Sequence, residues 1–189
     1  TPTSNHYETA KLCIINEKHV FIEKPITANL KQADILIKLG MDNSVIIQVG
    51  HIERLNPALL ALKKYDIKPT FLEIQRLAPY TSRGSDVPVV LDKMIHDIDI
   101  LLSLVKSDVC SLDATGMSII TSSLDVAQAR IKFKDGTVAS LMSSRIAQND
   151  VRKIKVFQKR LYSTIDLLKV STEIYKVGKN KKSSSDILK

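Results

Sequence analysis

His19-Val20-Phe21-Ile22-Glu23-Lys24-Pro25 and Ser44-Val45-Ile46-Ile47-Gln48-Val49-Gly50 are two short β-rich runs with a helix-patterned segment between them. Both are nearly continuous apolar runs rather than alternating ones, as expected of strands covered on both faces of a parallel sheet. The segment between them carries Leu30, Ala33 and Ile37 on one helical stripe, with Thr27 placed to cap its start and Gly40 to stop it. Upstream, Asn5-x-x-Glu8 resembles a capping box, and Tyr7, Ala10, Cys13 and Ile14 follow helical spacing. Residues 1–50 therefore read helix, strand, helix, strand, with connections short enough for parallel α/β packing.

Beyond that opening the pattern changes. Pro57 opens a helix through about Tyr65, Thr70 to Leu77 reads as a strand, and Pro88 to Val105 is the longest helical stretch. From Ser111 the residues turn to β, with strands expected over 114–121, 126–133, 137–144, 153–157, 162–167 and 173–177. Lys134-Asp135-Gly136 supplies a hairpin turn, because Asp-Gly readily adopts positive φ. Runs of strands after an α/β opening predict a second, α+β domain on an open, largely antiparallel sheet. The boundary falls near residues 50–57. The expected organisation is a parallel α/β part over 1–53, an α+β domain over 54–178 and a basic polar tail over 179–189.

Composition narrows the class. The 189 residues are 44% hydrophobic and 25% charged, enough apolar content for a sizeable core. The net charge of +8 lies wholly in residues 151–189, since residues 1–150 hold 17 basic and 17 acidic side chains. A nucleic-acid reader spreads basic residues over a folded face, often with aromatics, so nucleic-acid binding is not expected. No uncharged stretch is long enough to span a bilayer, and no signal peptide is visible, so no membrane association is expected. Cys13 and Cys110 form neither a disulfide framework nor a zinc motif, which implies a reducing, cytoplasmic setting with both thiols buried.

The richest chemistry lies in the long helical stretch. Asp92, His96 and Asp99 follow offsets of four and three, which on a continuous α-helix places them along one face. A carboxylate one turn from an imidazole fixes its tautomer and supports its protonated form, as an oriented general base requires. The same residues also suit acids at a helix start with a core-edge histidine, or a shared metal ion, although no further His/Cys cluster supports a metal. Lys24 leaves the carboxyl end of the first strand, where open α/β sheets bind ligands, and Pro25 biases it toward extended backbone. A lysine there can stabilise a developing oxyanion, or simply be an exposed loop residue.

Thr1-Pro2-Thr3-Ser4-Asn5-His6, Glu23-Lys24-Pro25, Arg54-Leu55-Asn56-Pro57 and Asp92-x-x-x-His96-Asp97, in this order and spacing, resemble the Gfo/Idh/MocA family of NAD(P)-dependent oxidoreductases. Ala129–Phe133, Asp135-Gly136 and Ser144-Arg145-Ile146 resemble that family's C-terminal sheet. The resemblance implies a remnant of a Rossmann-type parallel sheet followed by the open-sheet domain. It implies that Lys24 is catalytic, that Asp92 and His96 are the catalytic pair, and that Thr1, Pro2, His6, Glu23 and Lys24 border NAD or NADP. The stretch from Arg76 to Asp97 looks similar to a bacterial subgroup that oxidises the 3-hydroxyl of UDP-N-acetylglucosamine. For such a substrate Arg76, Arg83 or Arg145 would pair with the diphosphate. The resemblance also implies a homo-oligomer formed through the C-terminal sheet.

The family's glycine-rich turn is missing: the six glycines contain no GxGxxG. The chain thus reads as the interior of an enzyme of roughly 310–330 residues, a two-domain length, and this piece alone is expected to bind NAD weakly or not at all. The leading expectation is hydride transfer between a sugar hydroxyl carbon, of a nucleotide sugar in particular, and nicotinamide. The alternatives are a non-catalytic regulatory or ligand-binding protein of the same fold, and a metal-dependent hydrolase using Asp92, His96 and Asp99.

Overall fold

The computed structural model describes residues 1–81 and 87–177. The chain divides into two compact units, the first Thr1–Ile52 and the second beginning at Glu53.

In the first unit α1 (Thr3–Ile15), β1 (Val20–Ile22), α2 (Leu30–Asp42) and β2 (Ile47–Val49) alternate along the chain. The two strands pair in parallel, Val20 opposite Ile47 and Ile22 opposite Val49. Ala10 and Ile14 from α1, Ile22 from β1 and Leu36 from α2 form the core of this unit. Three local expectations change. α1 starts directly after Pro2 without a side-chain cap, so Asn5 lies inside its first turn and no capping box forms. α2 is capped by Asn29, whose side chain accepts from the Gln32 N–H at 3.0 Å, while Thr27 donates its hydroxyl to the Asn29 carbonyl at 2.8 Å. Gly40 does not stop α2, which runs on to Asp42. It is buried where a Cβ would lie 2.7 Å from Ile47 Cδ1, so the missing side chain lets α2 approach β2.

The second unit is built on a seven-stranded sheet. Its strands are β3 (Phe71–Leu77), β4 (Val109–Met117), β5 (Val126–Phe133), β6 (Val138–Ser144), β7 (Val151–Gln158), β8 (Leu161–Asp166) and β9 (Ser171–Lys176). They lie in the order β4-β5-β6-β3-β7-β8-β9. Every neighbouring pair is antiparallel except β3 and β6, which run parallel. Registers align Ala129, Leu141, Ile74, Ile154 and Ile165 in one row across five strands. All five are buried, and Ile100 and Leu101 of the covering helix α4 (Ile95–Leu104) belong to the same core. Complete burial of a Leu or Ile side chain contributes about 1.5–3 kcal/mol, so this row anchors the sheet against the helix.

The segment from Pro57 is not one continuous α-helix. It forms α3 (Pro57–Leu60), capped by the Asn56 side chain, and then a 3₁₀ turn over Ala61–Lys64. Pro88–Val105 is not one α-helix either. A π-helical turn over Val90–Met94 precedes α4, and the Ile95 N–H reaches the Val90 carbonyl five residues back. β4 begins earlier than expected and ends earlier too. It is an edge strand with every residue exposed, so it lacks the alternation that marks its neighbours. After Met117 the chain bends because the backbone N–H groups of Ile119, Ile120 and Thr121 all donate to Oδ2 of Asp125, at 2.7–2.9 Å. Cys110 sits on this edge and is exposed, while Cys13 is half-buried, so the expectation of two buried thiols fails. Among the described residues no helix is long and apolar enough to cross a membrane.

Candidate active site

In the first unit the two parallel strands end side by side. The Gly50 N–H, just past β2, donates to the Ile22 carbonyl at 2.7 Å. The carboxylate of Glu23 packs against Gly50, where a Cβ would lie 3.0 Å from Oε2. Lys24 follows, half-buried, and the Lys24-Pro25 peptide is cis. His6 of α1 is buried against this turn, with Nδ1 2.8 Å from the Pro25 carbonyl and Nε2 3.2 Å from the Thr1 carbonyl. A neutral imidazole carries one N–H, so one of these contacts at a time is a donated hydrogen bond, and the shorter one joins α1 to the Lys24-Pro25 turn. Thr1, His6 and Glu23 line one cleft of about 350 Å³. Thus Thr1, His6, Glu23 and Lys24 gather at the strands' carboxyl ends, where open parallel sheets bind dinucleotides. The missing side chain of Gly50 makes room for the Glu23 carboxylate to lie against the end of β2. Without a glycine-rich turn in the sequence, no pyrophosphate contact is assigned to these residues.

In the second unit Asp92 lies in the π turn and His96 in the first turn of α4, both half-buried. Lys93 Nζ is 3.4 Å from Asp92 Oδ2. π-helical turns occur frequently at functional sites, and this one sets the angular offset between the two side chains. Asp92 thus approaches His96 from a π turn, while His96 and Asp99 share the α-helical winding of α4.

The two aspartates that follow His96 turn to arginines. Asp97 is buried and accepts from Arg76 Nε at 2.9 Å and from Arg76 Nη2 at 2.8 Å. Burial pushes the Asp97 carboxyl above its usual range, and the Arg76 charge opposes this without cancelling it. Burial likewise disfavours the Arg76 cation, but the charges of Asp97 and Glu53 outweigh it and raise the guanidinium further. Glu53, in a 3₁₀ turn over Ile52–Leu55, accepts from Arg76 Nη1 at 3.3 Å and from Arg152 Nη1 at 3.2 Å. Arg54 of the same turn makes a two-pronged pair with Asp99.

The arginines expected to meet a diphosphate are thus differently occupied. Arg76 is 4% exposed and is paired with buried Asp97 and half-buried Glu53. Arg145 is 3% exposed; its Nη2 donates to the carbonyls of Val87 and, at 2.7 Å, Leu124, and its Nε lies 3.5 Å from Asp125 Oδ1. It fastens the chain just before the π turn. Arg83 lies outside the described residues. Asp99, the third member of the metal alternative, is held by Arg54, and no group of three or more potential metal ligands occurs among the described residues. Sequence reasoning gave Glu53 no role and Arg54 only a place in a motif. Arg76, the partner of Glu53, carried a signal: it falls in phase with buried Leu72 and Ile74, so a strand buried on that face had to pair its charge.

Residues 1–51 match the Gfo/Idh/MocA oxidoreductase family, which has an NAD-binding Rossmann fold. The chain is a relative of the Gfo/Idh/MocA oxidoreductases. It is 35% identical over 179 residues to a UDP-N-acetylglucosamine 3-dehydrogenase of Acidithiobacillus ferrooxidans, which covers 94% of this chain and 57% of that protein. The crystal form P21 structure of that dehydrogenase superposes with a TM-score of 0.91 at 33% identity, over 100% of this chain and 61% of the other. A scyllo-inositol 2-dehydrogenase (NAD(+)) of Bacillus subtilis is 27% identical over 169 residues, covering 80% of this chain and 49% of its own length. The chain therefore spans about half to three-fifths of the length of these relatives. The mixed fold, a small parallel sheet followed by a larger and mostly antiparallel one, agrees with theirs and with the expectation from sequence.

Proposed function

We propose that this chain is the chemical part of an NAD(P)-dependent dehydrogenase that oxidises a CH–OH carbon of a sugar, with a nucleotide sugar the preferred substrate. The observation that carries the reading is the Asp92 and His96 pair at the junction of the π turn and α4, with both side chains half-buried. An imidazole so placed can take a proton while a neighbouring carboxylate supports the charge it acquires.

The roles follow from the reaction's balance. Oxidation of a carbinol removes a hydride from carbon and a proton from oxygen, leaving a carbonyl. NAD or NADP, when bound, supplies the hydride acceptor. His96 accepts the hydroxyl proton, and Asp92 orients the ring or shares that proton. Lys24, cationic at the carboxyl end of β1, stabilises the alkoxide-like oxygen as the O–H bond breaks. Thr1, Pro2, His6 and Glu23 would border the cofactor. Because Arg76 and Arg145 are committed to buried carboxylates and carbonyls, the diphosphate contact falls to Arg83 in this reading. A second copy pairs through the outer face of the sheet, where Phe71, Phe157, Tyr162 and Tyr175 form a ladder of rings 4.8–5.8 Å apart. The absence of a disulfide framework suits work in the cytoplasm.

The test is kinetic, on the full-length protein containing this chain. Lys24→Ala and His96→Ala should each lower sugar-dependent reduction of NAD by at least roughly a hundredfold, the usual scale for general acid–base groups. Near-normal turnover in either variant would remove its assigned role. Titration calorimetry showing no NAD or NADP binding would favour a non-catalytic protein of the same fold.

A further inference from the structure

Six charged side chains close a ring around the base of α4, and the mechanism above uses none of them. Two lie on the helix itself, Asp97 and Asp99. Two lie in the 3₁₀ turn that opens the second unit, Glu53 and Arg54. Arg76 comes from β3 and Arg152 from β7. The links run from Asp99 to Arg54, along the backbone to Glu53, across to Arg76 and back to Asp97, with Arg152 also on Glu53. Three cations face three anions, so the ring is neutral.

Helical geometry gives this ring a direction. Successive residues on an α-helix turn by about 100°, so Asp97 lies about 100° to one side of His96 and Asp99 about 60° to the other. The anchors bracket His96. Rolling α4 one way stretches the pair to Arg76, and rolling it the other way stretches the pair to Arg54. Burial of apolar side chains is non-directional, whereas two-pronged guanidinium–carboxylate contacts specify an orientation. Charged groups in such numbers are not the cheapest way to stabilise a core, since apolar replacements of buried ion pairs often do as well.

We propose that the ring formed by Glu53, Arg54, Arg76, Asp97, Asp99 and Arg152 fixes the roll of α4 and thereby aims the His96 imidazole, making Arg54 and Asp99 positioning residues. This rests on the reading of His96 as the base, and extends it to residues that touch neither substrate nor cofactor. A misplacement near 1 Å can cost on the order of a hundredfold in rate, so a partial loss of aim has a measurable signature.

The Arg54–Asp99 pair is the one to perturb, because Arg54 is about half exposed and the fold tolerates its change. Arg54→Gln, Asp99→Asn and the exchanged pair Arg54→Asp with Asp99→Arg would be made in the full-length protein. Turnover would be measured with NAD and UDP-N-acetylglucosamine, and ¹⁵N spectra of labelled histidine would follow the His96 ring. The expected result is a kcat lower by about tenfold in each single variant, with KM within twofold and the His96 resonances displaced. The exchanged pair should regain most of the kcat and return the resonances. Unchanged kcat with unmoved His96 resonances overturns the proposal. So does a parallel loss of kcat and folded fraction that the exchanged pair fails to rescue, since that marks a merely structural pair. If the parent protein reduces no NAD with this sugar, the functional reading fails on its own. The resonances then decide the ring: displacement and return support it, and no displacement overturns it.

Discussion

Replacing His6 by leucine, and separately by asparagine, isolates the contact that joins α1 to the Lys24-Pro25 turn. The His6 Nδ1 atom stands 2.8 Å from the Pro25 carbonyl, and both His6 and Pro25 are buried. Leucine fills similar space but donates nothing, leaving a buried carbonyl without that partner, which costs about 1–3 kcal/mol. Asparagine places its amide nitrogen close to where Nδ1 lay, so it keeps the donor and loses mainly packing, at about 1 kcal/mol. The expected order of stability is parent, then His6→Asn, then His6→Leu, with about 1 kcal/mol between the two variants. Urea unfolding of the full-length protein, followed by far-ultraviolet circular dichroism, measures it. At a slope of about 1–3 kcal/mol per molar urea, a 2 kcal/mol loss moves the midpoint by roughly 1 M. Turnover should fall in the same order, because Lys24 is adjacent to the carbonyl that loses its donor. Equal stability of the two variants would refute the reasoning, for it would mean that the ring contributes bulk and not a hydrogen bond. Leucine matching the parent would refute it more completely.

Two further outcomes follow from local geometry. Gly40→Ala gains about 1 kcal/mol of helix propensity but forces a Cβ against Ile47 Cδ1, an overlap costing about 1–3 kcal/mol, so a net loss of about 1 kcal/mol is expected. Adding Ile47→Val removes that atom, and the double variant should be more stable than the sum of its parts when measured by the same unfolding assay. Asp125 is held below the usual carboxylate range, first by the Thr121 backbone N–H and further by those of Ile120 and Ile119, with burial opposing them. A lowered folded-state value gives stability that is present above the unfolded value, near pH 4, and is lost as pH falls from there toward the depressed value. Asp125→Asn should remove this acid-side slope, which thermal melts between pH 3 and 6 would show as a shallower dependence than the parent's.

What the sequence disclosed and what it hid divide along physical lines. β5 was legible residue by residue, because Ala127, Ala129, Ile131 and Phe133 alternate with exposed partners. The turn after it was legible too, since Gly136 has φ of 90° and Asp-Gly announces such a backbone. Lys24, Asp92 and His96 could be marked because short motifs keep chemistry-bearing residues close in sequence. β4 was misplaced because an exposed edge strand has no alternation to read. The π turn left no trace, since one residue of extra winding does not alter composition. The ring around α4 was hidden for a different reason. Its side-chain partners lie 21 to 99 positions apart, and only folding reveals which carboxylate each arginine meets.

The parallel neighbours β3 and β6 have a consequence for how the chain is made. β3 occupies the middle of the sheet, yet its partners, β6 and β7, are the fourth and fifth strands of that sheet along the chain. On a ribosome adding 5–20 residues per second, the roughly 60 residues between β3 and β6 take about 3–12 s to emerge. Through that interval Leu72, Ile74 and the charged Arg76 belong to a strand with no sheet to join. The long-range closure that follows is the slow kind, so the nascent second unit is exposed to mispairing during synthesis in a way that its finished form is not.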